Sequence, residues 1–522
     1  MKEPITLEEL AAALEEVQER VPDPAVQGII WIRVKHPLDR MQERILRDGR
    51  RGGKACAAAE FLLFPLRWAV CFAYAVILFL RTGLLRFRLG EALRRMRDKS
   101  FPLVAKSWSY SPTQVTQGKD FYWGDLGQRT EEAGAPLLHL SGNANGMEWR
   151  DFFRARVSEE MPSQIPEMAL VPPAAPFRAA FLQGLTSLRL LWLAWTVRDP
   201  LVARVAALAG RDALAPRATP ILLYYWIGKT AGAWWRPKAL ISLYEGYGWE
   251  RLLFRGVKEG YPACRTVGYQ HTILLRHNLA LLRERHASAG AAAPEVVLCL
   301  GPRTRALLEP SHPRSILVPF GTFRTTGRPA DGVAPDPRRR TVLVLPEGYL
   351  EEARLLFRAA VRVARLLPDH RFLLRSHPVL PFEKVAPFLD PTWKELRNLT
   401  QSTAKELETD LRDSSAVLYR GSSSVLWGIL QGLKPFYWQE GAWDIDPLFE
   451  LPEGWRQRVC SAEELAQGLQ AYASTQGAQR QAGWAEAAEY VRSYATPVGR
   501  ESIERLLASA GISERESQRC IA

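Results

Sequence analysis

Three short segments in the C-terminal half of this 522-residue chain combine residue types that can hold a phosphate and move a proton. They are Leu345-Pro346-Glu347-Gly348, Arg375-Ser376-His377-Pro378 and Arg420-Gly421-Ser422-Ser423-Ser424. A carboxylate such as Glu347 can take a proton from a hydroxyl nucleophile, and the glycine after it lets the chain turn sharply. His377, on a backbone restricted by Pro378, can offer a proton or a hydrogen bond to a phosphate oxygen near neutral pH. Gly421 and the three serines precede a helical pattern from Val425 to Gln431, and free N–H groups at such a start suit an anion, with Arg375 as a further phosphate-binding candidate. Acid, imidazole and phosphate clamp together point to group transfer from an activated phosphate donor. Taken singly, His-Pro is a turn, a serine triplet is a helix cap and Glu-Gly is a loop. Their shared position at strand ends favours the chemical reading.

That position comes from the elements around them. Thr341 to Leu345, Arg371 to Leu374, Ala416 to Tyr419 and Pro435 to Trp438 read as short buried strands, with amphipathic helices in two of the three intervals. This alternation predicts a parallel sheet with right-handed crossovers, whose carboxyl-end loops converge on one rim. Further strands are expected at Leu137 to Leu140, Ile221 to Trp226, Ala239 to Leu243, Thr266 to Tyr269, Val296 to Leu300 and Ile316 to Pro319, making a second parallel-sheet domain. The loop Ser141-Gly142-Asn143-Ala144-Asn145-Gly146 suits sugar hydroxyls, and Glu245 and His271 stand at two strand ends of this domain.

An acid-Gly motif, then His-Pro, then paired serines, in that order, resembles the bacterial sialyltransferases, polysialyltransferases and Kdo transferases, and more widely the proteins of surface-carbohydrate and capsule biosynthesis. Pro346 stands where those families more often show a second acid. The resemblance covers the last third of the chain. It implies a GT-B fold of class α/β: two Rossmann-like parallel-sheet domains facing a cleft, the N-terminal one for acceptor and the C-terminal one for a nucleotide-sugar donor, with a CMP-linked sugar as the first choice. It implies Glu347 as general base and His377 on the nucleotide phosphate, with Ser422, Ser423 and Ser424 holding that phosphate. Gln270-His271 resembles the Gln-His segment of capsule and teichoic-acid polymer enzymes, which makes Glu245 and His271 acceptor-side candidates beside Asn143, with Glu245 a second candidate base. A CDP-glycerol-type glycerophosphotransferase and a non-catalytic polysaccharide-assembly protein are the alternatives.

Composition bounds the partners. Lysine and arginine number 69 against 56 acidic residues, and the net charge of +13 favours anionic partners. The basic residues cluster around an apolar segment and not in a nucleic-acid module, so nucleic acid is not an expected partner. No HExxH, zinc spacing or GxGxxG occurs, so no metal or cofactor is expected beyond the nucleotide-sugar substrate; Asp444-Ile445-Asp446, which matches the metal-holding DxD of GT-A enzymes, reads as a loop. Six scattered cysteines read as reduced, buried thiols.

The organisation expected is an N-terminal segment 1–55, a basic and apolar helical insertion 56–100, the acceptor domain 101–320, a linker 321–340, the donor domain 341–460 and terminal helices 461–522. Thr6 and Glu9 predict a capped first helix, and Ile29 to Ile32 a strand. The insertion contains FLLFPLRWAVCFAYAVILFL from Phe61 to Leu80, interrupted by Pro65 and Arg67. The clean run from Trp68 to Leu80 makes roughly 20 Å of helix, short of the roughly 30 Å of a bilayer core. With arginines on both sides it suits a hairpin or helix lying on the cytoplasmic face of the cell membrane; the alternative is a buried helix pair.

Overall fold

Leucine- and valine-rich runs form two sheets whose described pairings are all parallel. The structure, a computed structural model, describes residues 5–21, 45, 49–50, 52–97, 99–109, 120, 122–143, 164–282, 293–323, 337–440 and 444–512. The chain divides into two units, the first formed by Met1–His271, Asn278–Arg324 and Pro497–Ala522, the second by Thr272–His277 and Thr325–Thr496.

In the first unit the strands are β1 (Leu103–Ser109), β2 (Leu137–Asn143), β3 (Gln164–Pro166), β4 (Ala239–Leu243), β5 (Arg265–Tyr269), β6 (Val296–Cys299) and β7 (Ile316–Pro319), in the order β3-β2-β1-β4-β5-β6-β7. In the second they are β8 (Thr341–Leu345), β9 (Arg371–Leu374), β10 (Leu399–Gln401), β11 (Ala416–Tyr419), β12 (Lys434–Trp438) and β13 (Gln457–Val459), in the order β10-β9-β8-β11-β12-β13. Counted within each unit, the second sheet runs 3-2-1-4-5-6 and the first the same with a seventh strand added at its edge, the doubly wound order of mononucleotide-binding folds, so the α/β class and its two parallel-sheet domains are as expected.

The helices used below are α1 (Leu7–Arg20), α2 (Gly53–Arg88), α3 (Ala175–Thr196), α4 (Pro200–Ala213), α5 (Ala218–Trp235), α6 (Gly248–Gly260), α7 (Leu350–Leu366), α8 (Ser424–Leu430) and α9 (Arg500–Ser509). Thr6 caps α1 in the expected reciprocal way, its hydroxyl accepting from Glu9 N at 3.1 Å while Glu9 Oε2 accepts from Thr6 N at 2.9 Å. Helix α9 returns to the first unit, where Arg265 donates to Ser509 O at 2.8 Å and Arg505 to Pro319 O at 2.8 Å.

Several expectations are corrected. Ile221 to Trp226 is not a strand but part of the 18-residue α5, because a short apolar run has no period that separates strand from helix. Ser141-Gly142-Asn143 continues β2 against Ser107, Trp108 and Ser109 instead of forming a loop. The helix α2 passes through Pro65 and Arg67 without a break. A continuous buried stripe of Ala57, Glu60, Phe64, Cys71, Ala75, Leu78, Thr82 and Leu85 holds both halves against the unit, while Pro65 faces outward. Cys460 is exposed, not buried. The expected strand at 29–32, residues 144–146 of the loop, residues 324–336 of the linker and Cys520 lie outside the described residues.

Candidate functional site

In the second sheet the strand order reverses between β8 and β11, which pair directly. Loops leaving the carboxyl ends of strands on either side of such a reversal form the crevice where doubly wound sheets bind ligands. Glu347 follows β8, Gly421 follows β11, and His377 follows β9, the neighbour of β8. All three segments singled out in the sequence therefore leave one rim at the switch point.

Close packing joins them. Gly421 has a left-handed φ of 70°, and a Cβ there would lie 2.9 Å from Glu347 Cγ and 3.3 Å from its Oε1. A Cβ on Gly348 would lie 2.9 Å from His377 Nδ1. The two glycines thus let the carboxylate and the imidazole approach neighbouring backbone that any side chain would block. Glu347 is half-buried; burial pushes its carboxyl up to about 8, the charge of Glu352 adds to the rise, and a hydrogen bond from the Gly348 backbone opposes it. The nearby Glu352 is paired with the buried Arg420, Nε to Oε2 at 2.8 Å. His377 Nδ1 accepts from Val379 N at 3.3 Å, which puts the proton of the neutral ring on Nε2 as a donor; burial holds its pKa below the usual histidine value.

The serines are not consumed in capping. Ser423 is the N-cap of α8 but makes no side-chain capping bond, Ser422 is buried beside it and Ser424 begins the helix. Arg375, by contrast, is engaged elsewhere: it forms an ion pair with Asp410 and donates to the carbonyls of Ala404 at 3.2 Å and Lys405 at 3.2 Å, which gives it the task of holding the 402–410 segment. The two aspartates of Asp444-Ile445-Asp446 face guanidiniums, Asp446 on Arg456 with Tyr419 OH at 2.8 Å, and Asp444 on Arg458 at 3.4 Å. They make a structural loop.

In the first unit Glu245 and His271 meet. They follow the paired strands β4 and β5, and His271 Nε2 lies 2.9 Å from Glu245 Oε1. His271 is buried, with its Nδ1 3.4 Å from Tyr269 O and the Tyr122 ring edge-on at 4.7 Å. The loop is fixed by Glu250, not by Glu245: the Glu250 carboxylate accepts from the N–H groups of Glu245, Gly246 and Tyr247 at 2.8–3.2 Å. Glu245 is left at the rim, held by an imidazole. Asn143 ends β2 opposite Ser109, apart in the strand order from β4 and β5.

One polar cluster was not anticipated from the sequence. Lys106, fully buried on the central strand β1, points its ammonium at the Trp108 ring, 3.1 Å from the centroid, with Trp249 at 4.8 Å and Glu167 Oε2 at 3.4 Å. Burial lowers its pKa to about 8 against the pull of Glu167. Gly142 makes room for it, since a Cβ there would sit 2.7 Å from Nζ. No local pattern marks a lysine as buried; only pairing of β1 with β2 and β4 does so.

No protein-family model matches the chain, and no curated protein matches it. Among solved structures it is similar in fold to the glycotransferase of kitacinnamycin, at 11% identity and a TM-score of 0.42 over 79% of this chain and 100% of that one. It is also similar to a UDP-GlcNAc 2-epimerase from Neisseria meningitidis bound to UDP-GlcNAc, at 8% identity and 0.41 over 78% and 98%. A third is the N-terminal domain of trehalose-6-phosphate phosphatase from Candida albicans, at 8% and 0.43 over 79% and 97%.

Proposed function

We propose that this chain is a glycosyltransferase of bacterial surface-polysaccharide assembly, working at the inner face of the cell membrane on a glycan or lipid-linked acceptor. The observation that carries the reading is the convergence of Glu347, His377 and the Gly421–Ser424 loop at the switch point of the second sheet. An acceptor hydroxyl attacks the anomeric carbon of a nucleotide-activated sugar, and its proton passes to Glu347 as the new C–O bond forms. The bond from that carbon to the nucleotide phosphate breaks, and the released phosphate gathers negative charge. His377 Nε2–H and the serine hydroxyls and backbone donors meet that charge, where preorganised donors contribute most to rate. The motif order supports a CMP-linked acidic sugar as donor. In the first unit Glu245, oriented by His271, is the acceptor-side acid.

The apolar surface of the first unit supports the membrane part. Helix α2, about 54 Å long at 1.5 Å per residue, is long and apolar enough to span a bilayer by composition. Its packed inner stripe runs nearly end to end, which favours a helix lying in the interface. Its outer face exposes Leu62 (84%), Leu66, Leu80 and Phe87 (86%), and α3 beside it exposes Phe181, Trp192 (64%) and Trp195. Aromatic and leucine faces flanked by arginines suit the headgroup boundary of an anionic membrane.

Thermal melting against CMP, CDP, UDP and GDP tests the donor site. Stabilisation by CMP or CDP in the wild type, lost in His377→Ala, is expected; a ligand at 100 times its Kd adds about 2.7 kcal/mol. Stabilisation by UDP or GDP instead replaces the donor, and no response to any nucleotide removes the transferase reading.

A further inference from the structure

The outer surface of the first unit holds a cavity of about 300 Å³ where α2 passes the end of α4, lined by Leu66, Arg67, Val70, Arg211 and Pro216 among others. Its position is unusual: Leu66 and Val70 belong to the exposed apolar face of α2, so the cavity opens at the edge of that face. Its charged groups are arranged around one buried carboxylate. Glu60, 5% exposed, accepts a hydrogen bond from Arg67 Nη2 at 3.4 Å, has Arg67 Nε 3.1 Å from its other oxygen, and lies 3.7 Å from Arg211 Nε. This side-on engagement fixes the plane of Arg67 and leaves its Nη1, while Arg211, approached through Nε, keeps both terminal nitrogens for another acceptor. For Arg211, no hydrogen bond of those terminal nitrogens is found among the described residues. Asp212 is buried and faces Arg217 at 3.6 Å, while Arg204 is committed to Gly49 O at 2.7 Å. Around the cavity three guanidiniums, Arg67, Arg211 and Arg217, thus stand against two carboxylates, Glu60 and Asp212.

We propose that this cavity takes the phosphate of an anionic membrane phospholipid, with Arg67 and Arg211 on the phosphate oxygens and Leu66 and Val70 against the first acyl methylenes. The chemistry fits in two independent ways. Oriented guanidiniums match phosphate geometry, and the apolar rim is continuous with the face read above as membrane-facing, on which this inference rests. A soluble phosphate would use the guanidiniums and leave the apolar rim without a role.

Sedimentation of the full chain with vesicles of phosphatidylcholine alone, and of phosphatidylcholine mixed with phosphatidylglycerol, tests it. The wild type is expected to prefer the phosphatidylglycerol vesicles. Arg211→Gln and Arg67→Gln should each weaken that binding about five-fold, the usual effect of one basic residue at an anionic surface. Arg94→Gln, which removes the same charge from the exposed helix Gly90–Arg97, serves as the control for general attraction and should change it less. Because losing either arginine partner strands the buried Glu60, Pro216→Glu provides a variant that puts a carboxylate on the rim without touching that clamp, and it should weaken binding as much.

Equal effects of Arg211→Gln, Pro216→Glu and Arg94→Gln, in proteins of unchanged melting temperature, overturn the cavity while leaving the membrane reading in place. A wild type that ignores both vesicles removes the membrane reading and this inference together, and leaves the nucleotide site untouched. Displacement from the vesicles by soluble glycerol 3-phosphate at low millimolar concentration but not by equal sodium chloride assigns the cavity to a soluble phosphate and overturns the lipid.

Discussion

Glu347 carries the sharpest chemical consequence because its environment works against its charge. A carboxyl held near 8 in the folded chain keeps a proton that the unfolded chain releases near 4.5. The native state is therefore favoured by that proton below about pH 4.5, and the contribution is lost as pH rises towards and through about 8. Melting temperature followed over about pH 5–9 is expected to fall more steeply in the wild type than in Glu347→Gln; parallel curves would remove the buried-acid account. The same group must be ionised to act as a base, so kcat/KM should climb to a plateau above about pH 8, and Glu347→Gln should lower kcat by about 10²–10⁴-fold. That Glu347, His377 and the serines leave one rim was foreseeable from their places at strand ends. The roles of Gly348 and Gly421 as gaps that admit the imidazole and the carboxylate were not, since a close approach between strand-end loops exists only once β8, β9 and β11 are paired. Arg375 shows the opposite limit: its place beside His377 in sequence suggested a phosphate ligand, while Asp410, 35 residues on, engages it.

At the scale of elements, apolar runs of four or five residues were legible as strands, while three-residue strands and the charge-interrupted β1 were not. Ala239–Leu243 and Ile316–Pro319 are found at the residues expected, whereas β1, an interior strand of the first sheet, carries no clear strand signal because Lys106 breaks its apolar run. Helix α2 was read as two pieces because Pro65 lowers local helix propensity, yet packing along its inner stripe outweighs a loss of about 3 kcal/mol. Part of that packing is one notch. The Trp68 indole lies over Gly184 of α3, where a Cβ would come within 2.3 Å of the ring, and its Nε1 donates to Ala180 O at 2.9 Å. Gly184→Ala overpacks this contact and is expected to lower stability by about 1–3 kcal/mol in urea unfolding. Combining it with Trp68→Ala should recover part of the loss, and simple additivity of the two changes would show that the notch does not hold the helices together.

For the whole molecule, alternating strands and helices were enough to predict two parallel sheets, because right-handed crossovers leave few arrangements. The order 3-2-1-4-5-6 was not in the local pattern: which edge the chain crosses to after three strands depends on which strands pair, and periodicity within a strand does not encode its neighbour. Nor does local pattern say which unit owns the end of the chain. After the helices of the second unit, the segment from Pro497 joins the first, where Thr322 O accepts from Val498 N at 3.2 Å and Ile503, Leu506 and Ala510 of the terminal segment are buried. Burying such side chains stabilises by about 1.5–3 kcal/mol for each large one, and that stabilisation belongs to the first unit although the residues follow the second in sequence. Ending the chain at Thr496 should therefore lower the melting of the first unit by several degrees, a shift of about 1–2 °C per kcal/mol for a unit of more than 300 residues, while the transition of the second unit, the one proposed to respond to CMP, stays where it is. Calorimetry with and without CMP separates the two: if the transition that CMP raises is also the one the truncation lowers, the terminal helix supports the nucleotide-binding unit and the division of the chain drawn here is wrong.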